Sequence, residues 1–432
     1  MKKIFFVIIA IVSILLISPY FVGKGVETKY QTIIQQVQQN QQISIENSTF
    51  ERNWFTAKAV NTLVIPLRTN PALNADFPDK ITLTISENIN FGPMILSELG
   101  IEFGLARSIA TIDVQPGLLN NELAEQVHKN LHIQSFVNFT SDYITDINFA
   151  GIDTQVDDAQ VIVFPLTAKY IVENERHILA NIDWQGLKTI NKKMEFTLGS
   201  TKAQLDEQLV AGDLYSNTAL FNGDVNFVIN KMHAQGVDRK EIFLLNNFTL
   251  TGGSKVTDNL MNILFTYHID ELNLPFQKFH QANLALTMNR LDVDVLQTFN
   301  KILAASTSSP DKLFTDNSKQ LLSVLAKLLK QDPSFAITDM SVETTSGKIQ
   351  SQLQLTVDKK RFDAKNAASF MAAANVNAQG SAPVEFFKKM GMMPMVDQYI
   401  QQGFILRNND ELNFKMNFTQ GKLQLNDKVL PL

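Results

Sequence analysis

Apolar and polar positions along the 432-residue chain fall into three regimes. From Ile4 to Gly23 the chain reads IFFVIIAIVSILLISPYFVG, twenty residues without a charge, preceded by Lys2 and Lys3. At 1.5 Å rise per residue a helix of that length covers about 30 Å, the hydrocarbon thickness of a bilayer. This predicts a transmembrane anchor over residues 1–23. From Lys24 to Gln42 the composition turns polar and glutamine-rich. Val26, Tyr30, Ile33, Ile34 and Val37 recur every three or four residues, a stripe on one helix face. Residues 24–42 therefore read as a helical stalk lifting a body off the membrane, with a disordered glutamine linker as the alternative. From residue 43 onward the period falls to two.

That period of two predicts half-buried strands. Ile81, Leu83 and Ile85 alternate with Thr82, Thr84 and Ser86, and Val225, Phe227 and Ile229 with Asn226 and Asn230. Leu353 and Leu355 stand between Gln352, Gln354 and Thr356, and Leu412, Phe414 and Met416 between Asn413, Lys415 and Asn417. One face is apolar and the other carries Asn, Gln, Thr and Lys, as in an antiparallel sheet with a wet side. Thr345-Ser346-Gly347-Lys348, Gln420-Gly421-Lys422 and Asn426-Asp427 read as hairpin turns.

Helices are few: residues 120–131, residues 293–304 capped by Asp292, a third opened by Ser309-Pro310 and closed at Asp332-Pro333, and a fourth from Pro383 to Gly391. The expected fold is mainly β, all-β to α+β: one long curled antiparallel sheet with a few helices packed at one end or across one face. Residues 43–432 form the body, with a subdivision considered near 280–292.

The first run has a rival reading as a cleaved signal peptide. Its length and its exit through Pro19-Tyr20-Phe21-Val22, without a small-x-small site, favour an uncleaved anchor with its N-terminus inside. Zero Cys excludes a lipoprotein, disulfides and thiolate metal sites. The net charge of -5 and the lack of a basic cluster argue against nucleic acid. Thirty Phe against two Trp and seven Tyr favours apolar surfaces that leave no polar atom to satisfy.

Five short stretches, in order, resemble one family. Gly23-Lys24-x-x-Glu27-Thr28 follows the apolar run. Phe50-Glu51-Arg52-Asn53-Trp54-Phe55 is similar to an aromatic-x-Arg-x-x-Phe strand entry, and Glu87-Asn88-Ile89-Asn90-Phe91-Gly92-Pro93-Met94 to a Gly-Pro turn. Asp332-Pro333 through Ser346-Gly347, and Gly421-Lys422-Leu423-Gln424-Leu425-Asn426, resemble two late hairpins. Together they resemble the YdgA family, bacterial proteins implied to have an inner-membrane anchor and a periplasmic body of unknown function. That family often carries His before Gly-Pro, where Phe91 stands here. Leu284 to Asp292, a strand entering a capped helix, is similar to segments of AsmA-like envelope proteins. That similarity implies long sheets with an apolar inner groove, associated with lipid movement and outer-membrane assembly; it is a likeness of fold, not of function.

Chemistry-bearing motifs are scarce. His128 and His132, four apart on an expected helix, could face a metal, but Lys129 stands where a zincin has its glutamate, and surface histidines are the simpler reading. Gly252-Gly253-Ser254-Lys255 lacks the spacing of a phosphate loop and reads as a turn after Leu250. Asp157-Asp158 and the Asp292/Asp294 pair read as solvated or capping carboxylates. The methionines at 390, 392, 393 and 395 suit either an adaptable surface or plain core. Arg52, among aromatic residues, is a candidate membrane-proximal contact, with a structural salt bridge or a stacked guanidinium as its alternative.

The expected function is accordingly non-enzymatic. A body in the periplasm, held in the bacterial inner membrane through residues 4–23, would handle lipid or support outer-membrane maintenance through an apolar sheet face. Leu83, Ile85, Phe227, Ile229, Leu353, Leu355 and Phe414 are the candidate groove residues. A protein-binding or homodimeric envelope scaffold is the alternative, and a hydrolase with a site built from distant residues the third reading. No cofactor, metal or nucleic acid is expected.

Overall fold

The computed structural model describes residues 2–430 except 39–42, 67–78, 98–99, 115–120, 157, 217, 307–317, 364–365, 367–368 and 427. The described chain is mainly β, and nearly all its strands belong to one antiparallel sheet. It divides into two compact units: Met1–Val156, Val161–Gln185 and Asp206–Ala219 form the first, Asp157–Gln160, Gly186–Leu205 and Leu220–Leu432 the second.

The first unit opens with helix α1 (Lys2–Gln38). Its strands are β1 (Ser44–Arg52), β2 (Thr56–Pro66), β3 (Lys80–Phe91), the separate hairpin β4 (Met94–Ser97) and β5 (Gly100–Phe103), and β6 (Ala106–Val114). Helix α2 (Asn121–Asn130) leads into β7 (Leu131–Val137), β8 (Tyr143–Phe149), β9 (Ile152–Val156) and β10 (Ala159–Val163), then β11 (Leu166–Glu173) and β12 (His177–Trp184). Antiparallel pairing orders the main sheet β1-β2-β3-β6-β7-β8-β11-β12. His132 therefore lies in β7, not on the helix of His128. The strand takes over because Leu131, Ile133 and Ser135 pair with β8, so the four-residue helical spacing of the two histidines is never formed.

The expected stalk is also revised. Helix α1 does run on past Gly23, but Val22, Val26 and Tyr30 pack against Ala57, Ala59, Ile89, Phe91 and Ala106 of the sheet. The apolar stripe read from the sequence is a docking face, and small residues at 57, 59 and 106 let the helix approach closely. Side chains of α1 are described from Leu15 onward. Among the described residues no helix is long and apolar enough to cross a membrane, so the anchor over residues 1–23 is not shown.

The second unit holds β13 (Leu187–Ile190), β14 (Met194–Leu198) and part of β15 (Thr201–Ala211), then four long strands: β16 (Leu220–Gly236), β17 (Glu241–Thr257), β18 (Leu260–Leu274) and β19 (Gln277–Asp292). Helices α3 (Val293–Ser306) and α4 (Ser318–Leu329) follow, then β20 (Ser334–Thr344), β21 (Gly347–Val357), α5 (Ser369–Ala373) and β22 (Ala374–Pro383). Helices α6 (Val384–Lys389) and α7 (Met393–Gln401), then β23 (Leu406–Asn408), β24 (Glu411–Thr419), β25 (Lys422–Leu425) and β26 (Lys428–Leu430), end the chain.

Hairpins link β16 through β19 and β20 to β21, and the turns at Thr345-Ser346 and Gln420-Gly421 stand where the sequence puts them. Gly252 and Gly253 do not. They lie mid-strand in β17, where the Phe265 ring across the ladder covers Gly252 and fills the space a side chain would take. No boundary falls near 280–292, because Gln277–Asp292 is one strand paired on both sides.

Asp292 does cap α3, its Oδ1 accepting from the Val295 N–H at 3.1 Å. The start expected at Ser309-Pro310 lies outside the described residues, as does Asp157. The helices sit at both ends of the strands rather than one. Leu329 of α4 packs with Val357 and Ala373, whereas Val384 of α6 and Val396 of α7 pack with Leu412 beyond the far end of β22. The split follows from chain order, since β19 ends into α3 at one end and β22 into α6 at the other. The methionine cluster divides likewise: Met393 packs into the α6–α7 core, while Met390 and Met395 are exposed.

Candidate functional site

Residues directly opposite in a ladder share a face, so the register of the second unit can be read as rows crossing the strands. One row runs Phe227, Leu250, Tyr267, Leu284, Met340, Ser351, Gly380, Phe414. The next runs Val225, Gly252, Phe265, Leu286, Ile337, Leu353, Ala378, Met416, Leu425. A third continues Ser254, Ile263, Met288, Phe335, Leu355, Val376, Phe418, Leu423, Leu430. A shorter row holds Ile229, Phe248, Ile269 and Ala282.

The result is one apolar face spanning β16 to β25. In these rows only Gly252 and Phe418 are buried; the other side chains keep part of their surface accessible. Phe227 meets Phe248 edge to face with centroids 6.2 Å apart, and the Phe414 ring lies over Gly380.

The opposite face is hydrogen-bonded and wet. Asn417 Nδ2 donates to Asn377 Oδ1 at 2.6 Å, and Thr419 Oγ1 donates to Asn375 Oδ1 at 2.6 Å. His268 bonds Asn283 Oδ1 at 2.7 Å and Asp270 Oδ1 at 2.8 Å. The Asn283 and Asp270 bonds push the His268 pKa up, while Asn247 and His268 hold the Asp270 carboxyl down. Asn247 and Gln281, both with positive φ, also donate to this carboxylate. The cluster therefore satisfies a break in the ladders, and Asn283 and Asp270 already occupy both imidazole nitrogens.

Of the groove candidates, Phe227, Ile229, Leu353, Leu355 and Phe414 are thus brought onto one face. Leu83 and Ile85 lie in the first unit, on the sheet face that α1 partly covers, opposite Leu63 and Asn61. The register that joins the rows is a long-range property, which alternation within one strand does not disclose.

Arg52 is placed differently from a free lipid contact. Its Nε donates to Glu27 Oε2 at 2.8 Å, and its guanidinium carbon lies 4.8 Å from the Tyr20 ring centroid. The Glu27 bond raises its pKa further, so the charge is spent within the chain. Trp54 Nε1 donates to the Leu16 carbonyl at 2.7 Å, and Gly23 abuts the buried Phe91 ring. Deeper in, Tyr30 OH donates to Glu87 Oε1 at 3.0 Å and accepts from Asn61 Nδ2; Ser108 Oγ donates to Glu87 Oε2 at 3.0 Å. Burial and the Glu87 charge push the Tyr30 pKa upward. The first three stretches of the family resemblance therefore meet at this joint between α1 and the sheet. Phe91 fits there because Gly23 leaves room for a ring.

A family model described as "Bacterial protein of unknown function (DUF945)" matches residues 1–432. The chain belongs to the DUF945 family. No curated protein and no solved structure matches it. Among the described residues of this DUF945 chain, no group of three or more His, Cys, Asp or Glu could hold a metal ion, and His128 instead faces Asp113 at 3.4 Å.

One turn of this DUF945 chain has a built-in acid sensitivity. Asp142 Oδ2 accepts from Thr140 Oγ1 and Asn138 Nδ2, and its Oδ1 from the Asn174 N–H at 3.1 Å. These bonds, Thr140's first, hold its pKa below the ordinary carboxylate value. A depressed pKa stabilises the turn above the unfolded value of about 3.9 and loses that stabilisation as pH falls through the folded one. The amide-exchange protection factor of Asn174 is therefore expected to hold from neutral pH to about 4 and fall below it. Asp142→Asn should show low protection at every pH.

Proposed function

We propose that this protein is a non-enzymatic envelope protein, held in the bacterial inner membrane by residues 4–23, whose second unit accommodates acyl chains along its sheet face. The supporting observation is the set of registered apolar rows, partly open to solvent and lined almost wholly by Leu, Ile, Val, Phe and Met. A lining with so few polar atoms suits a hydrocarbon ligand, whereas a polar substrate would leave most of its own groups unpaired there. The helical backbone through the uncharged run supports an anchor, and the resemblance to YdgA-type proteins adds a body on the periplasmic side.

Native mass spectrometry on the full chain, extracted in mild detergent, tests this reading. Bound phospholipid is expected on the natural protein, and Phe227→Asp or Leu355→Asp should lower its occupancy about tenfold while circular dichroism is unchanged. Tenfold corresponds to about 1.4 kcal/mol, less than the transfer free energy of one buried Leu or Phe. Absence of lipid on the natural protein, together with a crosslinkable dimer through the same face, would favour the scaffold instead.

A further inference from the structure

One end of the first unit's sheet combines features that a water-facing surface lacks. The register brings three connections to this end: β1–β2 after Arg52, β3–β6 through the β4–β5 hairpin, and β7–β8 after Val137. Each carries large exposed apolar side chains: Trp54 and Phe55 on the first, Leu96, Ile101 and Phe103 on the second, Phe139 on the third.

The β4–β5 hairpin is inverted. Leu96 and Ile101 face each other across the ladder at 64% exposure, and Phe103 beside them is equally open. The other side carries Ile95, which is fully buried, and the half-buried Glu102, whose Oε2 accepts from Arg107 Nε at 2.7 Å. A hairpin in water is expected to hide its apolar side and expose its charges; here the ion pair is turned inward. Among the described residues, several polar groups at this end are satisfied within the chain. Trp54 gives its N–H to the Leu16 carbonyl, and Asn138, Thr140 and Asp142 bond one another beneath Phe139. These groups are spared a need for water there, which lowers the cost of approaching an apolar medium.

Helix α1 identifies the medium. It runs from Tyr30, against Phe50, back to Tyr20, against Trp54, and so leaves the sheet at this end. The residues before Leu15, an uncharged helical run apart from Lys2 and Lys3, continue beyond it. Trp and Phe around the exit of an apolar helix form the belt expected at a headgroup boundary.

We propose that this end of the first unit is a bilayer-contact surface, with Trp54, Phe55, Leu96, Ile101, Phe103 and Phe139 seated in the headgroup–acyl boundary of the membrane that holds α1. The proposal builds on the anchor reading given above. It makes α1 the axis of a broader membrane seat.

The absence of Cys allows single labels without background substitutions. Ile101→Cys, Phe103→Cys and Phe139→Cys, with exposed Ser44→Cys at the far end of β1 as control, carry a nitrobenzoxadiazole probe. The full chain is mixed with liposomes of phosphatidylethanolamine and phosphatidylglycerol. Lipid-borne doxyl groups are expected to quench the three test labels at least threefold more than the control, and aqueous iodide to quench them less. Iodide quenching equal to the control overturns the proposal, even when alkaline carbonate leaves the protein in the pellet and the anchor stands. Labels shielded from iodide without doxyl quenching mean that a protein covers this end, and also overturn it. Doxyl quenching in a protein that carbonate extracts would sink the anchor while keeping the seat.

Discussion

Glu87→Leu is expected to be the most destabilising single substitution in the first unit that changes little volume. The Glu87 carboxylate accepts from Tyr30 of α1 and from Ser108 of β6, itself 8% exposed. Removing it leaves both hydroxyls without that acceptor in a region closed by α1. At about 1–3 kcal/mol for each unsatisfied buried group, the loss is about 2–6 kcal/mol. Tyr30→Phe leaves Glu87 with Ser108 but strands one buried donor, Asn61 Nδ2, so its cost should be smaller, about 1–3 kcal/mol. Urea melts followed by circular dichroism measure both. An effect of Glu87→Leu no larger than that of Tyr30→Phe would mean that water reaches this carboxylate and the joint is open.

Gly23→Leu should undock α1. A Cβ at this position would stand 2.6 Å from Cε2 of Phe91, and Phe91 is 2% exposed, enclosed by Ala57, Ala59, Ile89 and Ala106. The ring has no free space to swing into, so helix and sheet must separate. Overpacking of this kind costs about 1–3 kcal/mol, and it also disturbs Glu27–Arg52 and Tyr30–Glu87 in the next turns of the helix. Limited proteolysis should then cut between α1 and β1 at protease concentrations that spare the natural protein. The double variant Gly23→Leu/Phe91→Ala should regain part of the resistance, because deleting the ring returns the lost space. Absence of rescue would place the effect in α1 itself rather than at its contact.

The strands were legible because alternation is a local property. Ile81-Leu83-Ile85 and Leu353-Leu355 state their faces unaided, and both lie in strands. Which strands lie side by side is decided by ladders between residues far apart in sequence, so the continuity from Phe227 to Phe414 was not legible. Gly252-Gly253 misled because glycine pairs usually break structure; here Phe265 supplies the missing bulk from the neighbouring strand. His132 misled because a helical spacing was carried one residue past the point where sheet pairing took over. Leu96, Ile101 and Phe103 escaped notice for a different reason. An apolar hairpin looks the same in sequence whether its open side meets a core or a membrane, and only the inward ion pair of Glu102 with Arg107 distinguishes the two.

The first unit is not a single stretch of chain: it takes residues 206–219 after 186–205 have been given to the second. The returning segment is tied in firmly. The Leu209 N–H bonds the Arg176 carbonyl at 2.6 Å, Arg176 Nη2 returns a bond to the Leu209 carbonyl, and Asp206 Oδ1 meets His177 Nε2 at 2.7 Å. A chain that emerges from its N-terminal side onward would therefore have to hold its first unit unfinished until residue 219 has emerged. The early strands would wait with Arg176 lacking its bonds to Leu209 and His177 lacking Asp206, and a product cut off at Gln185 would be an incomplete body open to proteases rather than a smaller folded one.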